Sequence, residues 1–367
     1  MKKFGFGLMR LPLLNREDQT SIDIAHVTKM ADKFLGKGFT YFDTAACYHN
    51  GASETAFCEA VAKRYPREAY SITDKLSLWM VQDGKFEEFF QGQLERLGVD
   101  YLDYYLLHAV NKNGYKEALE KGAIEFMKKL KAEGRVKHIG FSFHDSAEVL
   151  DMILSNEPEM EIVQLQINYL DWEDGGVQSR LCYEVAEKHN KPVIVMEPVK
   201  GGSLANVRGE IRRMFKDANL GMSIASWAIR FAASLERVVM VLSGMSNEEQ
   251  VNDNLGYMEN FIPLTKAEND MVMKAADMIR ADVLIGCTAC RYCVPECPMG
   301  IEIPEYFKAY NMIKTDGRDK AIEEFRAVAE KGSKPSDCVK CGACEAVCPQ
   351  KISIRDFLCD ITEELDK

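Results

Sequence analysis

Residues 39–48 read FTYFDTAACY: an apolar run that stops at Asp43 and is followed five residues later by Tyr48. The run is a predicted strand, and it is one of eight. Phe4–Leu8, Phe39–Asp43, Ala69–Lys75, Leu102–His108, Val136–Ser142, Ile162–Gln166, Val193–Glu197 and Val238–Ser243 are short and apolar. Between them lie helical patterns such as Glu54–Lys63, Lys85–Leu97, Tyr115–Ala132, Ala147–Leu154, Val177–His189, Ser223–Ala233 and Glu248–Met258. Eight strand–helix alternations over roughly 250 residues are the count of a (β/α)8 TIM barrel, where a doubly wound sheet needs fewer strands.

A barrel places its chemistry at the C-terminal ends of its strands. Those ends are polar here: Asp43 closes the second strand, Lys75 the third, His108 the fourth and Ser142 the fifth. Tyr48 is close enough to Asp43 for its loop to return the phenol over the same mouth. Taken singly, Asp43 can cap a helix, Lys75 and Tyr48 can be surface residues, and His108 can be a satisfied core histidine. Taken together they suit acid–base work: Tyr48 as general acid, Lys75 lowering its pKa, Asp43 holding the ammonium and His108 orienting a carbonyl oxygen. His49, His144 and Cys47 sit near this mouth without a defensible metal spacing, and the two histidines are expected to line the substrate pocket.

The C-terminal segment carries a different signal. Cys287, Cys290, Cys293 and Cys297 precede Pro298, and Cys338, Cys341, Cys344 and Cys348 precede Pro349. Each is the run C-x2-C-x2-C-x3-C-P, which holds cubane clusters in bacterial-type ferredoxins, the fourth cysteine reaching the neighbouring cluster. The expectation is two 4Fe-4S clusters, one on Cys287, Cys290, Cys293 and Cys348, the other on Cys338, Cys341, Cys344 and Cys297. Structural zinc is disfavoured because its sites pair two knuckles rather than three. Disulfides are disfavoured because no apolar signal segment follows Met1. Helical patterns at Ile303–Ile313 and Asp319–Lys331 separate the runs, and Ile352–Glu364 is expected to pack back on the barrel or the clusters.

The chain has 367 residues, 47% of them hydrophobic, enough for one large core and a small module. The predicted class is therefore α/β: a barrel over residues 1–262, a connecting helix over 263–282, and a small, mainly helical ferredoxin-like iron–sulfur domain over 283–367. A formal net charge of -11 disfavours a nucleic-acid partner. No stretch is apolar enough to span a membrane. Cys47, Cys58, Cys182 and Cys359 remain as free thiols, which fits a cytoplasmic location.

Phe42-Asp43-Thr44-Ala45 with Tyr48, Thr73-Asp74-Lys75, Leu106-Leu107-His108, Gly5-Phe6-Gly7, Arg10-Leu11-Pro12 and Ile139-Gly140-Phe141-Ser142 together resemble the aldo/keto reductase family over about residues 1–260. The resemblance implies Tyr48, Lys75, Asp43 and His108 as a catalytic tetrad and hydride exchange between NAD(P)(H) and a carbonyl or alcohol. It further implies that Gly7, Ser142, Gln164, Met196, Ser243, Gly244, Gln250 and Asn254 line the cofactor. Phe143 stands where the family often has asparagine, and Met196 where many relatives have an aromatic residue. Gly244 and Gln250 replace a basic fork, which favours NAD(H) over NADP(H).

Hydride moves two electrons and a cubane one, so the clusters are expected to serve electron transfer, with a ferredoxin or flavoprotein partner or a bound flavin splitting the pair. The alternatives are a flavin- or partner-coupled electron-transfer protein whose barrel is not a conventional carbonyl reductase, and an aldo/keto reductase whose clusters are only structural. The substrate is expected to be a small carbonyl or alcohol.

Overall fold

The structure, a computed structural model, describes residues 2–219 and 221–366. Met1, Leu220 and Lys367 lie outside it, and with them the outermost residues of the spans expected at 1–262 and 283–367.

Eight parallel strands close into a barrel in sequence order: β1 (Phe4–Gly7), β2 (Tyr41–Asp43), β3 (Ser71–Leu76), β4 (Leu102–Val110), β5 (Val136–Phe143), β6 (Ile162–Gln166), β7 (Val193–Met196) and β8 (Val238–Gly244). Closure comes from β1 pairing with β8, Gly7 opposite Gly244. Strands covered on both faces need apolar residues on both, and β6 and β7 show this in four consecutive residues or more with little exposure. One apolar set, Tyr41, Leu106, Ile162, Ile194, Met240 and Leu242, fills the barrel. The other faces the helices, where Phe34 meets Phe4, Phe6, Phe39 and Phe42 at ring-centre distances of 5.3–6.3 Å.

The same alternation fixes where the polar ends point. Side chains two residues apart share a face of a strand. Two positions beyond inward-facing Tyr41, Leu106, Ile162 and Ile194 come Asp43, His108, Gln164 and Met196. At Gly140 in β5 the neighbouring strand comes so close that a Cβ would stand 2.1 Å from the Ile162 carbonyl oxygen.

Most helices fall on the expected stretches. Tyr115–Ala132 is two helices, Lys112–Glu120 and Ala123–Ala132, because Gly122 takes a left-handed conformation at φ 73°. Glu54–Lys63 begins earlier, at Ala52, and continues through a wider turn over Cys58–Ala62. Helices Ile24–Gly36 and Gly209–Ala218 were not singled out in the sequence.

Helix Lys266–Asp282 starts at Thr265, whose hydroxyl accepts from the Glu268 amide while the Glu268 carboxylate accepts from the Thr265 amide. Its Val272, Ala275 and Ala276 are buried in the barrel core. Beyond it, helices Ile303–Thr315, Arg318–Ala329 and Ile354–Leu365 enclose a second core of Ile303, Tyr306, Phe307, Phe325, Leu358 and Ile361. The last helix packs within this module.

Candidate active site at the barrel mouth

The inward positions at the strand ends meet in one hydrogen-bonded group. Lys75 Nζ, fully buried, donates to Asp43 Oδ1 at 2.6 Å and to the Thr44 carbonyl at 2.7 Å. The second Asp43 oxygen accepts from Gln164 Nε2 at 3.0 Å. A carboxylate held on both oxygens cannot swing, so the ammonium has a fixed position. The Tyr48 ring lies over it, 4.8 Å from Nζ, and the His108 ring is 5.9 Å from the Tyr48 ring, edge to face. Tyr48 is brought back by a tight turn in which His49 and Asn50 both have φ 51°.

Burial raises the Tyr48 phenol well above its ordinary range, and Asp43, Cys47, Asp74 and Glu197 add to the effect. This reverses the expectation that Lys75 leaves the resting phenol with a lowered pKa. Loss of solvent and four negative or ionisable neighbours outweigh one ammonium already paired with Asp43. The resting group is a neutral phenol, the form that donates a proton. His108 is shifted the other way, well below the usual imidazole value, by burial and then by Lys75 and His144. It is therefore neutral. Its Nδ1 is 2.7 Å from Ser77 Oγ; when the hydroxyl donates there, the ring proton resides on Nε2, free to donate to a substrate oxygen.

Behind the tetrad, burial and the neighbouring Glu54 raise Asp74 well above the carboxylate range. Asp74 Oδ2 and Glu54 Oε1 are both buried without another partner, so one shared proton satisfies both.

The residues expected to line a nicotinamide cofactor are at the mouth, several already engaged. Ser142 Oγ accepts from the Ala109 amide at 2.7 Å. Gln164 orients Asp43, and Met196 is half-buried at the end of β7. Asn254 Nδ2 donates to Ser243 Oγ at 3.3 Å, while Gln250 accepts from the Ser246 amide at 2.7 Å. Gly7 and Gly244 face each other across the β1–β8 seam. Two more groups stand where they suit the cofactor: Glu197, whose sequence position already put a negative charge near the nicotinamide site, and Arg10, whose position gave no sign of it. Arg10 lies against Gly244, which a Cβ would crowd at 3.2 Å, and brings a cation to an edge where no basic group was expected. Glu197 Oε2 is buried with no partner and is a ready acceptor for an amide N–H.

Trp79 was also missed. It is 59% exposed, in the turn after β3, with its ring 5.0 Å from His108. The signal was available: Leu78-Trp79-Met80 is an apolar triplet directly after a strand end. His49 does not line the pocket as expected. Its Nε2 accepts from the Leu11 amide at 3.0 Å and its Nδ1–H donates to the Gln19 carbonyl at 3.1 Å, a structural role. His144, lowered to about 4 by burial and Lys351, borders a small recess with Phe143, Gln166 and Lys351.

The cysteine-rich segment requires a correction. Cys287, Cys290, Cys293 and Cys348 lie within electrostatic reach of one another, and Cys297, Cys338, Cys341 and Cys344 border one recess. All eight are free thiols. Among the described residues no group of three or more His, Cys, Asp or Glu side chains could hold a metal ion. The donor set does not fit a preformed 4Fe-4S site. The expected pair of clusters, the electron-transfer function built on them and the flavin invoked to serve them are set aside, and what the barrel supports is a nicotinamide-dependent reductase.

The model for the aldo/keto reductase family matches residues 3–277, and a model for a 4Fe-4S dicluster domain matches residues 286–352. Among curated proteins, the NADH-specific methylglyoxal reductase of Escherichia coli is 22% identical over 282 residues, 66% of this chain and 85% of that protein. The 9,11-endoperoxide prostaglandin H2 reductase of Trypanosoma cruzi is 23% identical over 78% of this chain and 90% of its own. Among solved structures, an aldo-keto reductase from Klebsiella pneumoniae in complex with NADPH superposes with a TM-score of 0.59 at 20% identity, covering 74% of this chain and 90% of its own. At that identity the superposition speaks for the barrel fold.

Proposed function

The chain belongs to the aldo/keto reductase family and is an NAD(P)-dependent oxidoreductase; on that premise we propose that Tyr48 is its general acid, acting on a small carbonyl or alcohol at the barrel mouth. One observation carries the reading: Lys75 is fixed by Asp43 at 2.6 Å beneath the Tyr48 ring, with neutral His108 alongside.

When bound, NAD(P)H supplies the hydride. Arg10 and Glu197 are the residues placed to hold it beside Ser142, Gln164, Ser243 and Asn254. His108 orients the substrate oxygen through Nε2–H. Tyr48 gives that oxygen its proton as the carbon is reduced, and Lys75 stabilises the phenolate that results. Oxidation of an alcohol runs the same proton path backwards.

Tyr48→Phe keeps the ring and removes the proton. It is expected to leave nicotinamide binding intact and to slow NAD(P)H-dependent carbonyl reduction by roughly 10²- to 10⁴-fold. An undiminished rate would move the chemistry elsewhere.

We divide the chain into a barrel at 1–262, a connecting helix at 263–282 and a C-terminal module at 283–367. No described helix is long and apolar enough to cross a membrane. We place the protein in the cytoplasm because its cysteines are unpaired, which suits a reducing compartment. With the clusters set aside, the ground for a ferredoxin or flavoprotein partner goes too.

A further inference from the structure

The C-terminal module lies across the open end of the barrel, on the side of Tyr48. One anchor is Thr288, buried, whose carbonyl accepts from Arg10 Nη2 at 3.4 Å. The loop after β7 fits beneath it only as glycine: at Gly201, φ +65°, a Cβ would be 2.5 Å from the Thr288 oxygen. The second anchor is Gln350. Its side chain exchanges two hydrogen bonds with Gln166 at the end of β6, at 3.0 and 3.1 Å, and accepts from Lys200 Nζ at 2.9 Å. Lys200 is itself buried on Asp171 at 2.6 Å, and Asp171 also accepts from Gln166 and Asn168. A buried network satisfied this fully holds a single docked position.

Between the anchors the chain carries Tyr292. Its phenol is raised well above the ordinary range by burial, and the groups that reinforce the shift are Tyr48, Cys47, Cys290 and Glu197. Four residues past Thr288, this half-buried side chain lies within electrostatic reach of Tyr48 and Glu197. From the barrel side, exposed Trp79 stands against His108.

We infer that Tyr292 is a specificity-determining residue of the active site, and that the module, anchored through Thr288 and Gln350, roofs the barrel mouth so that the non-reacting end of the substrate packs against the Tyr292 ring. The inference rests on the proposed carbonyl reduction for its substrate and on the docking contacts for its geometry. The roof sets an upper size for the carbonyl compound, because Trp79 and Tyr292 bound the space left beside Tyr48.

The test compares kcat/KM for propionaldehyde and 2-naphthaldehyde in the full-length protein. Tyr292→Ala is expected to shift the ratio toward the bulky aldehyde by about 10-fold or more, the scale on which pocket volume discriminates. The change should fall mainly in the KM of the bulky compound. Tyr292→Phe should keep the wild-type ratio, since the ring and not the hydroxyl forms the wall. A second readout needs no turnover: peptide-mapped alkylation of Cys47 by N-ethylmaleimide should accelerate severalfold in Tyr292→Ala and in Gln350→Ala, the latter covering a failure of the former to fold. An unchanged aldehyde ratio in folded Tyr292→Ala overturns the inference, as does an unchanged Cys47 rate in both variants. Absence of reduction of either aldehyde by the unsubstituted protein would count against the carbonyl reading alone, and Cys47 alkylation would still decide for or against the roof.

Discussion

Lys75 and Asp43 form an ion pair sealed from water, with relative exposures of 0% and 5% for their side chains. Removing one partner from such a pair strands the other, and the cost is typically about 3–5 kcal/mol. Lys75→Met is therefore expected to lower stability by that order, read as a fall in the denaturant midpoint, besides slowing reduction by removing the charge that stabilises phenolate. Asp43 and Lys75 replaced together should recover some of the stability and none of the rate. A variant with unchanged midpoint would mean that the ion pair adds nothing to stability. That Asp43, Tyr48, Lys75 and His108 meet at one mouth was legible in the sequence because each stands at or just beyond a strand end. The direction of the Tyr48 shift was not, since it depends on burial and on Asp74 and Glu197, which reach the phenol only through the fold.

Among the elements, β5 and β6 meet more closely than any side chain allows at Gly140, whose added Cβ would overlap backbone. Backbone cannot rotate away as a side chain can, so Gly140→Ala has to force neighbouring strands of a closed barrel away from each other. A loss of about 1–3 kcal/mol is expected, measured by chemical denaturation, with Ser142 displaced two residues further along the same face. Stability equal to the parent would show that the seam relaxes freely. Strand positions were readable because both faces are covered and the apolar runs are nearly continuous. The break at Gly122 was readable too, but helical periodicity on both sides masked it. Arg10 and Trp79 escaped because their meaning lies in what they touch: Gly244 and Thr288 for one, His108 for the other.

Across the molecule, the barrel and the C-terminal module are joined where Gln350 bonds Gln166 at the end of β6 and Thr288 meets Arg10 and Gly201. Those contacts join residues 184 apart in the case of Gln166 and Gln350, and no local pattern announces them. The cysteine spacing announces a cluster fold, and a 4Fe-4S dicluster model does match residues 286–352. The structure departs from that expectation at the donor atoms, which form no metal-holding group among the described residues. What the barrel offers instead is a neutral Tyr48 phenol above Lys75, the group we propose as proton donor to a carbonyl. The sharpest check is the pH dependence of single-turnover NAD(P)H oxidation with an aldehyde, in the parent and in Tyr48→Phe. Because Tyr48 is raised and His108 lowered, the acid stays protonated and the imidazole stays neutral across the middle of the range. The parent rate should be flat from about pH 6 to about 9 and fall only at higher pH, where the phenol ionises, while Tyr48→Phe should be slower by roughly 10²- to 10⁴-fold and lack that alkaline fall. A parent rate that already falls below about pH 9 with the loss of one proton, or a Tyr48→Phe variant as fast as the parent, would contradict it.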